Sequence, residues 1–227
     1  MIPRVRRLSH QHQLLFACCC CQRMVPNYRD FAEDEGWDDA GLLERTMDRL
    51  WTVVGGSKMD SVELTELIAT IDSLPLNDAT CKSWFLGMAQ DSATALYQCL
   101  QFHATNERQS LDHVAGLALG VIKEWFSLVS DFNPAGYCES DVDFRLGKRL
   151  GLKPPNRATA SATDDEAEEE YRHSRLVQAE CDKQRFDVDV LEMHPELTEE
   201  LIALMRQSSS MQGVQVRLRG LRVDTPR

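Results

Sequence analysis

The sequence predicts an all-α fold, a bundle of seven to eight helices with a central antiparallel hairpin and a C-terminal helical extension. Three observations predict it. Apolar residues recur every third or fourth position through most of the 227 residues, as on the buried face of a helix. Alternating strand-like patterns are nearly absent before the C-terminus. Ser, Asp, Gly and Pro stand where helices start and stop. A composition of 43% hydrophobic and 27% charged residues suits a globular chain with one sizeable core.

The first helix is expected from about Ser9 to just before Pro26, because the residue ahead of a proline is pushed out of the α region. A short second helix then runs from Pro26 to Glu35, with Gly36 beyond its end. Asp38 or Asp39 is placed to cap the next helix, whose stripe is Leu43, Met47, Leu50, Trp51 and Val54, closed by Gly55-Gly56. Asp60 or Ser61 opens another, with Leu64, Leu67, Ile68 and Ile71 inward and Pro75 as its limit.

Two long patterns follow. Phe85, Met88, Ala89, Ser92, Leu96, Cys99, Leu100 and His103 share one face. After a turn near Asn106, Leu111, Val114, Ala115, Ala118, Ile122, Trp125, Phe126 and Val129 share another. These two helices form the expected hairpin, and Gly116 and Gly120 are spaced to admit a neighbouring backbone. The Pro-, Ala- and Ser-containing stretch 151–163 reads as a flexible linker between a helical core, 1–150, and C-terminal helices, 164–227. The acidic run Asp164 to Glu170 suits the positive end of a helix dipole, in a helix reaching Leu191. A shorter helix follows Pro195 through Met205, with Thr198 to Gln207 helix-forming, and Val214 to Arg219 alternates apolar and cationic residues as a short strand or tail.

Leu14-Leu15-Phe16-Ala17 followed by Cys18, Cys19, Cys20 and Cys21 mimics two other things. A secretory signal needs roughly 7–15 apolar residues, but Ser9-His10-Gln11-His12-Gln13 interrupts any such run. A zinc site needs ligand pairs that converge, whereas adjacent helical cysteines fan about 100° apart and only Cys18 and Cys21 share a face. The other cysteines, Cys81, Cys99, Cys138 and Cys181, are scattered in the sequence. The run is therefore expected in the core, as small apolar side chains. Eight cysteines without a secretory signal point to the reducing cytoplasm, and no window is apolar enough for a membrane span.

The segment Phe16-Ala17-Cys18, Gln22-Arg23-Met24-Val25-Pro26-Asn27-Tyr28 and Leu42 to Trp51 resembles the N-terminal signature of the bacterial YjaG-type family, a domain of unknown function. The resemblance continues at Ala89-Gln90-Asp91-Ser92 and Ala95-Leu96, and more faintly at Ala179-Glu180-Cys181. The cysteine run is longer than the family pattern, and 136–163 matches poorly. The resemblance implies an all-α fold and a cytoplasmic bacterial protein, and it carries over no catalytic residue.

Among candidate site residues, Asp91 comes first, a carboxylate at the edge of the strongest apolar stripe. It reads either as a ligand anchor or general base, or as a structural acid bonded to a helix end, Arg23 or Arg45. Asn27 and Tyr28 read either as lining a groove or as a corner with satisfied polar groups. Cys99, His103 and His113 permit a metal site to be drawn across the hairpin, without the spacing that marks one. His10 and His12 are expected in solvent. No catalytic residue, cofactor or metal ligand is assigned.

A net charge of −11 and a pI of about 5.0 disfavour general nucleic-acid binding. The leading expectation is a non-enzymatic module that binds a protein partner or itself, as a homodimer. A ligand pocket or enzyme site around Asp91 is the alternative. Nucleic-acid regulation through Arg217, Arg219 and Arg222 of the tail is the third.

Overall fold

A computed structural model of the chain describes residues 1–83, 85–132 and 175–211, with side chains for all of these except 125–132, 175, 176 and 211. The described residues form eight helices and no strand: α1 (Ile2–Val5), α2 (His10–Glu35), α3 (Leu42–Val54), α4 (Ser61–Asp72), α5 (Leu86–Thr105), α6 (Arg108–Phe132), α7 (Arg175–Met193) and α8 (Glu199–Met211). The predicted linker, the acidic run 164–170 and the alternating tail lie outside the described residues.

The bundle is organised around α2, which contacts α3, α5, α6, α7 and α8. It starts near Ser9 as expected, and the Ser9 hydroxyl caps it, accepting from the His12 amide at 3.3 Å. Every residue from His12 to Cys21 is buried, so this half of the helix has no solvent face.

The expected break at Pro26 does not occur, and one helix replaces the two predicted. An interior proline costs about 3 kcal/mol, while each large apolar side chain taken fully out of water returns about 1.5–3 kcal/mol. Leu15, Phe16, Met24, Tyr28 and Phe31 are all fully buried on the two sides of Pro26, so packing outweighs the local penalty. The helix ends where Gly36 takes a left-handed conformation at φ +69°, with the Trp37 amide closing onto Ala32 O at 2.8 Å.

The α3 stripe is buried as predicted, but Asp38 and Asp39 do not cap it. Gly41 precedes the first turn without a side-chain cap, and Asp39 pairs with Arg45 instead. Asp60 does cap α4, accepting from the amides of Val62 and Glu63 at 2.9 and 2.8 Å. Only Ile71 of the four inward α4 residues is fully buried, while Leu64, Leu67 and Ile68 pack on the rim of the core.

The predicted hairpin is present. Asn106, left-handed at φ +60°, ends α5, and α6 begins two residues later. Gly87 faces Glu124 and Gly120 faces Asp91, which sets the antiparallel register. A Cβ on Gly120 would stand 3.0 Å from the Asp91 carboxylate, so the close neighbour is a side chain rather than a backbone. Among the described residues a Cβ on Gly116 would meet nothing within 4 Å, so the expected close approach is not seen there. Ser92 ties α5 to α2, its hydroxyl lying 2.9 Å from Met24 O and 2.7 Å from Met88 O.

Candidate functional site

Two places concentrate polar groups: a cleft at one end of the hairpin and a buried cluster between α2 and α7. The cleft has a volume of about 380 Å³ and is lined by Asp78, Ser83, Leu86, Gly87, Gln90, Asp91 and Glu124. Its walls are held by specific bonds. The Gln90 amide donates to Leu76 O at 2.9 Å, fixing the loop that carries Asp78. Glu35, at the end of α2, accepts from the Lys82 amide at 2.6 Å and from the Ser83 amide.

Asp91 is half-buried in this cleft. The predicted partners are engaged elsewhere: Arg23 on α7 and Arg45 with Asp39. Among the described residues the carboxylate has no cation or hydrogen-bond donor beside it, so the tie to a helix end or arginine is not made. Burial, with the Glu124 charge adding to it, pushes its pKa up to about 6. The site is thus a partly solvated acid beside further acids, able to hold a proton near neutrality or to accept a cationic or hydrogen-bond-donating group.

Asn27 and Tyr28 do not line the cleft; both are 1% exposed. Neither polar atom of the Asn27 amide has a partner among the described residues. Tyr28 packs edge-on to Trp37 at 6.3 Å, and burial beside the Asp39 charge pushes its pKa up to about 12. It is a core residue rather than a groove residue.

The histidines also rearrange relative to expectation. His12 is buried at 6% exposure, its ring nitrogens 2.6 Å from Ser9 Oγ and 2.8 Å from His194 O. The His10 ring lies tilted against Phe102 and 6.4 Å from His103, with Nδ1 2.9 Å from Asn106 Oδ1. His103 therefore faces His10, and His113 is exposed. Among the described residues no group of three or more His, Cys, Asp or Glu side chains is arranged to hold a metal ion.

The cysteine run is buried as expected, at 0% exposure for all four residues. Desolvation pushes Cys19 up to about 12 and Cys20 further still. Cys99 is remote in sequence but not in space: it meets Cys18 and Cys21.

The buried cluster was missed by sequence reasoning. The Arg23 guanidinium, 1% exposed, lies 2.6 Å from Glu180 Oε1 and 3.3 Å from Asp187 Oδ2. It also donates to Cys19 O at 2.8 Å and to Cys20 Sγ at 3.5 Å. Lys183 pairs with the same Asp187, and Gln184 bridges Glu180 at 2.9 Å and Ala115 O at 3.2 Å. Two cations and two carboxylates thus cancel inside the protein. A signal was present: Arg23 is the single charged residue between Leu14 and Tyr28, and Glu180, Gln184 and Asp187 share the inward stripe of α7 with Val177, Val188 and Leu191.

The outer face of the same helix mixes large apolar side chains with charged ones. Phe186 and Met193 are 48% and 68% exposed, and Leu204 on α8 is 58% exposed. Asp189 and Glu192 on that side pair with Arg4 of α1 at 2.6 and 2.5 Å. No helix among the described residues is long and apolar enough to cross a membrane. Arg217, Arg219 and Arg222 lie outside the described residues.

Comparison with known proteins places the chain. The uncharacterized protein YjaG of Escherichia coli (strain K12) is 35% identical over 48 residues, 21% of this chain and about a quarter of that protein's length (24%). The crystal structure of a DUF416 family protein from Shewanella baltica OS155 superposes with a TM-score of 0.70 at 16% identity, over 94% of this chain and 98% of that one, a likeness of fold. The family described as "Protein of unknown function (DUF416)" matches residues 1–134, which include the cysteine run, the hairpin and Asp91. With more than half of its length so matched, the chain belongs to the DUF416 family.

Proposed function

We propose that this protein is a non-enzymatic helical module of the cytoplasm that works by protein contact, and that its contact face is the outer side of α7. The large apolar side chains that α7 exposes above a buried charged layer carry the reading. A surface helix ordinarily turns charge outward and apolar groups inward. Here Glu180, Lys183 and Asp187 face the core, while Phe186 and Met193 face solvent. Large apolar side chains grouped on an exposed face with a charged rim mark interaction surfaces more often than chance exposure does. The seven described cysteines are free thiols, which suits a reducing compartment.

The first partner to test is a second copy, since two-fold pairs are the commonest assemblies. Light scattering across a concentration series should give a dimer mass that Phe186→Glu with Met193→Glu reduces to that of a monomer, with the circular dichroism spectrum unchanged. A monomer mass at every concentration for the unmodified chain removes self-association. An unchanged dimer in the double variant removes α7 as its seat.

The Asp91 cleft supports a second reading, a small-ligand site. It is favoured by a half-buried carboxylate with a raised pKa in a 380 Å³ cleft whose walls are pinned by Glu35 and Gln90. A thermal-shift panel of amines and divalent cations on the unmodified chain and on Asp91→Asn separates the readings. A shift that the variant loses establishes the site; no shift from any compound removes it.

A further inference from the structure

Three thiols meet where α2 runs against α5. Cys18 and Cys21 lie one turn apart on α2, and Cys99 faces them from α5. The sulfurs of Cys18 and Cys99 are 4.0 Å apart, in van der Waals contact, although 81 positions separate the residues in sequence. The other two members of the run turn away: Cys20 lies against Arg23, and Cys19 is on the side of Ser209 and Asp187.

We propose that Cys18 and Cys99 form a latent dithiol pair, which two-electron oxidation by a hydroperoxide closes into a disulfide joining α2 to α5. Contact geometry is its foundation, because a disulfide requires the two side chains to point at each other with little backbone movement. The third thiol helps. The contact with Cys99 and burial push Cys18 up, and burial with the same kind of contact pushes Cys21 up, whereas the contacts with both push Cys99 down. Cys99 is thus the first sulfur of the three to ionise.

The chemistry balances. The Cys99 thiolate attacks one peroxide oxygen, the O–O bond breaks, and the leaving oxygen departs as water or an alcohol after taking a proton. Cys99 is then a sulfenic acid. The Cys18 sulfur displaces its hydroxyl, forming the S–S bond and releasing water. Two thiols lose two electrons and two protons, and one peroxide gains them. All three sulfurs are 0% exposed, so the reagent must enter during local opening of the α2–α5 seam. The reaction is therefore slower than oxidation of Cys181, which is half-exposed.

The test treats the folded full-length chain with hydrogen peroxide, blocks the remaining thiols in denaturant, and maps linked peptides by fragmentation mass spectrometry. The expected product joins Cys18 to Cys99, reverts with dithiothreitol, persists in Cys21→Ala and is absent from Cys99→Ala. Sulfinic or sulfonic acid at Cys99 without a link overturns the proposal. So does a link through Cys19, Cys20 or Cys21, or one that forms only after unfolding in urea. Should Cys99→Ala fail to fold, the residue-level map of the unmodified chain decides alone.

Discussion

The two sides of α2 are built on opposite principles. Towards α5 it presents Cys18 and Cys21, with Met24 offering its carbonyl to Ser92; the contacts are small, neutral and forgiving. Towards α7 it presents Arg23, and the contact is a four-charge cluster excluded from water. Non-directional burial scales with area and tolerates local slip. Charges in the interior are compensated only when every partner sits in place, so the second seam demands one register of α7 on α2. Hydrophobic patterning assembles the bundle, and the ionic layer selects how α7 docks on α2.

The largest effect should come from breaking the charged seam. Arg23→Met leaves Glu180 and Asp187 buried beside Lys183 alone, and loss of one partner from a buried pair costs about 3–5 kcal/mol. Urea titration should show the loss. A cost below about 1 kcal/mol would mean that water reaches the cluster and that the contrast between the seams is false. Replacing Arg23, Glu180, Lys183 and Asp187 together by apolar residues should recover most of that stability, because no charge is then stranded.

The neutral seam should respond less. Ser92→Ala removes the hydroxyl shared by Met24 O and Met88 O, worth about 1 kcal/mol. The measurement is again a denaturant midpoint, and a cost equal to that of Arg23→Met would erase the distinction.

The Asp91 cleft gives an effect no larger than that of Ser92→Ala, and of opposite sign. Its folded pKa, about 6, lies above the unfolded value of 3.8, so the native state holds the proton more tightly. Stability is greatest below the unfolded value and falls as pH rises through the folded one. Asp91→Asn, which cannot ionise, should abolish this decline and be more stable than the unmodified chain at pH 8, by about 1 kcal/mol after allowance for solvent screening. Equal denaturant midpoints at pH 4 and pH 8 for both proteins would show that the carboxylate is compensated after all.

Much of the architecture was readable from spacing. The α3 stripe, the Asp60 and Ser9 caps, the hairpin closed at Asn106 and the burial of the cysteine run each follow from local chemistry. Pro26 misled because its penalty is local and certain, whereas the burial that overrides it depends on five neighbouring helices. Asp91 stands out in the sequence as an acid at the edge of an apolar stripe, but its surroundings were not legible. Whether Arg23 reaches it or reaches α7 is a matter of which face of α2 turns where. Cys99 illustrates the same limit, since adjacency across the bundle leaves no mark on the spacing within a helix.

By itself, then, the order of residues determined that the chain is helical, where most helices start and stop, and which side chains leave water. Those outcomes depend on interactions within about one turn and on the period of apolar positions. Only the tertiary structure decided that α2 runs unbroken through Pro26, that Arg23 is neutralised by a helix 157 positions away, and that Cys99 meets Cys18. Each of these is a pairing between faces of different helices, and the free energy that selects one pairing belongs to no single segment.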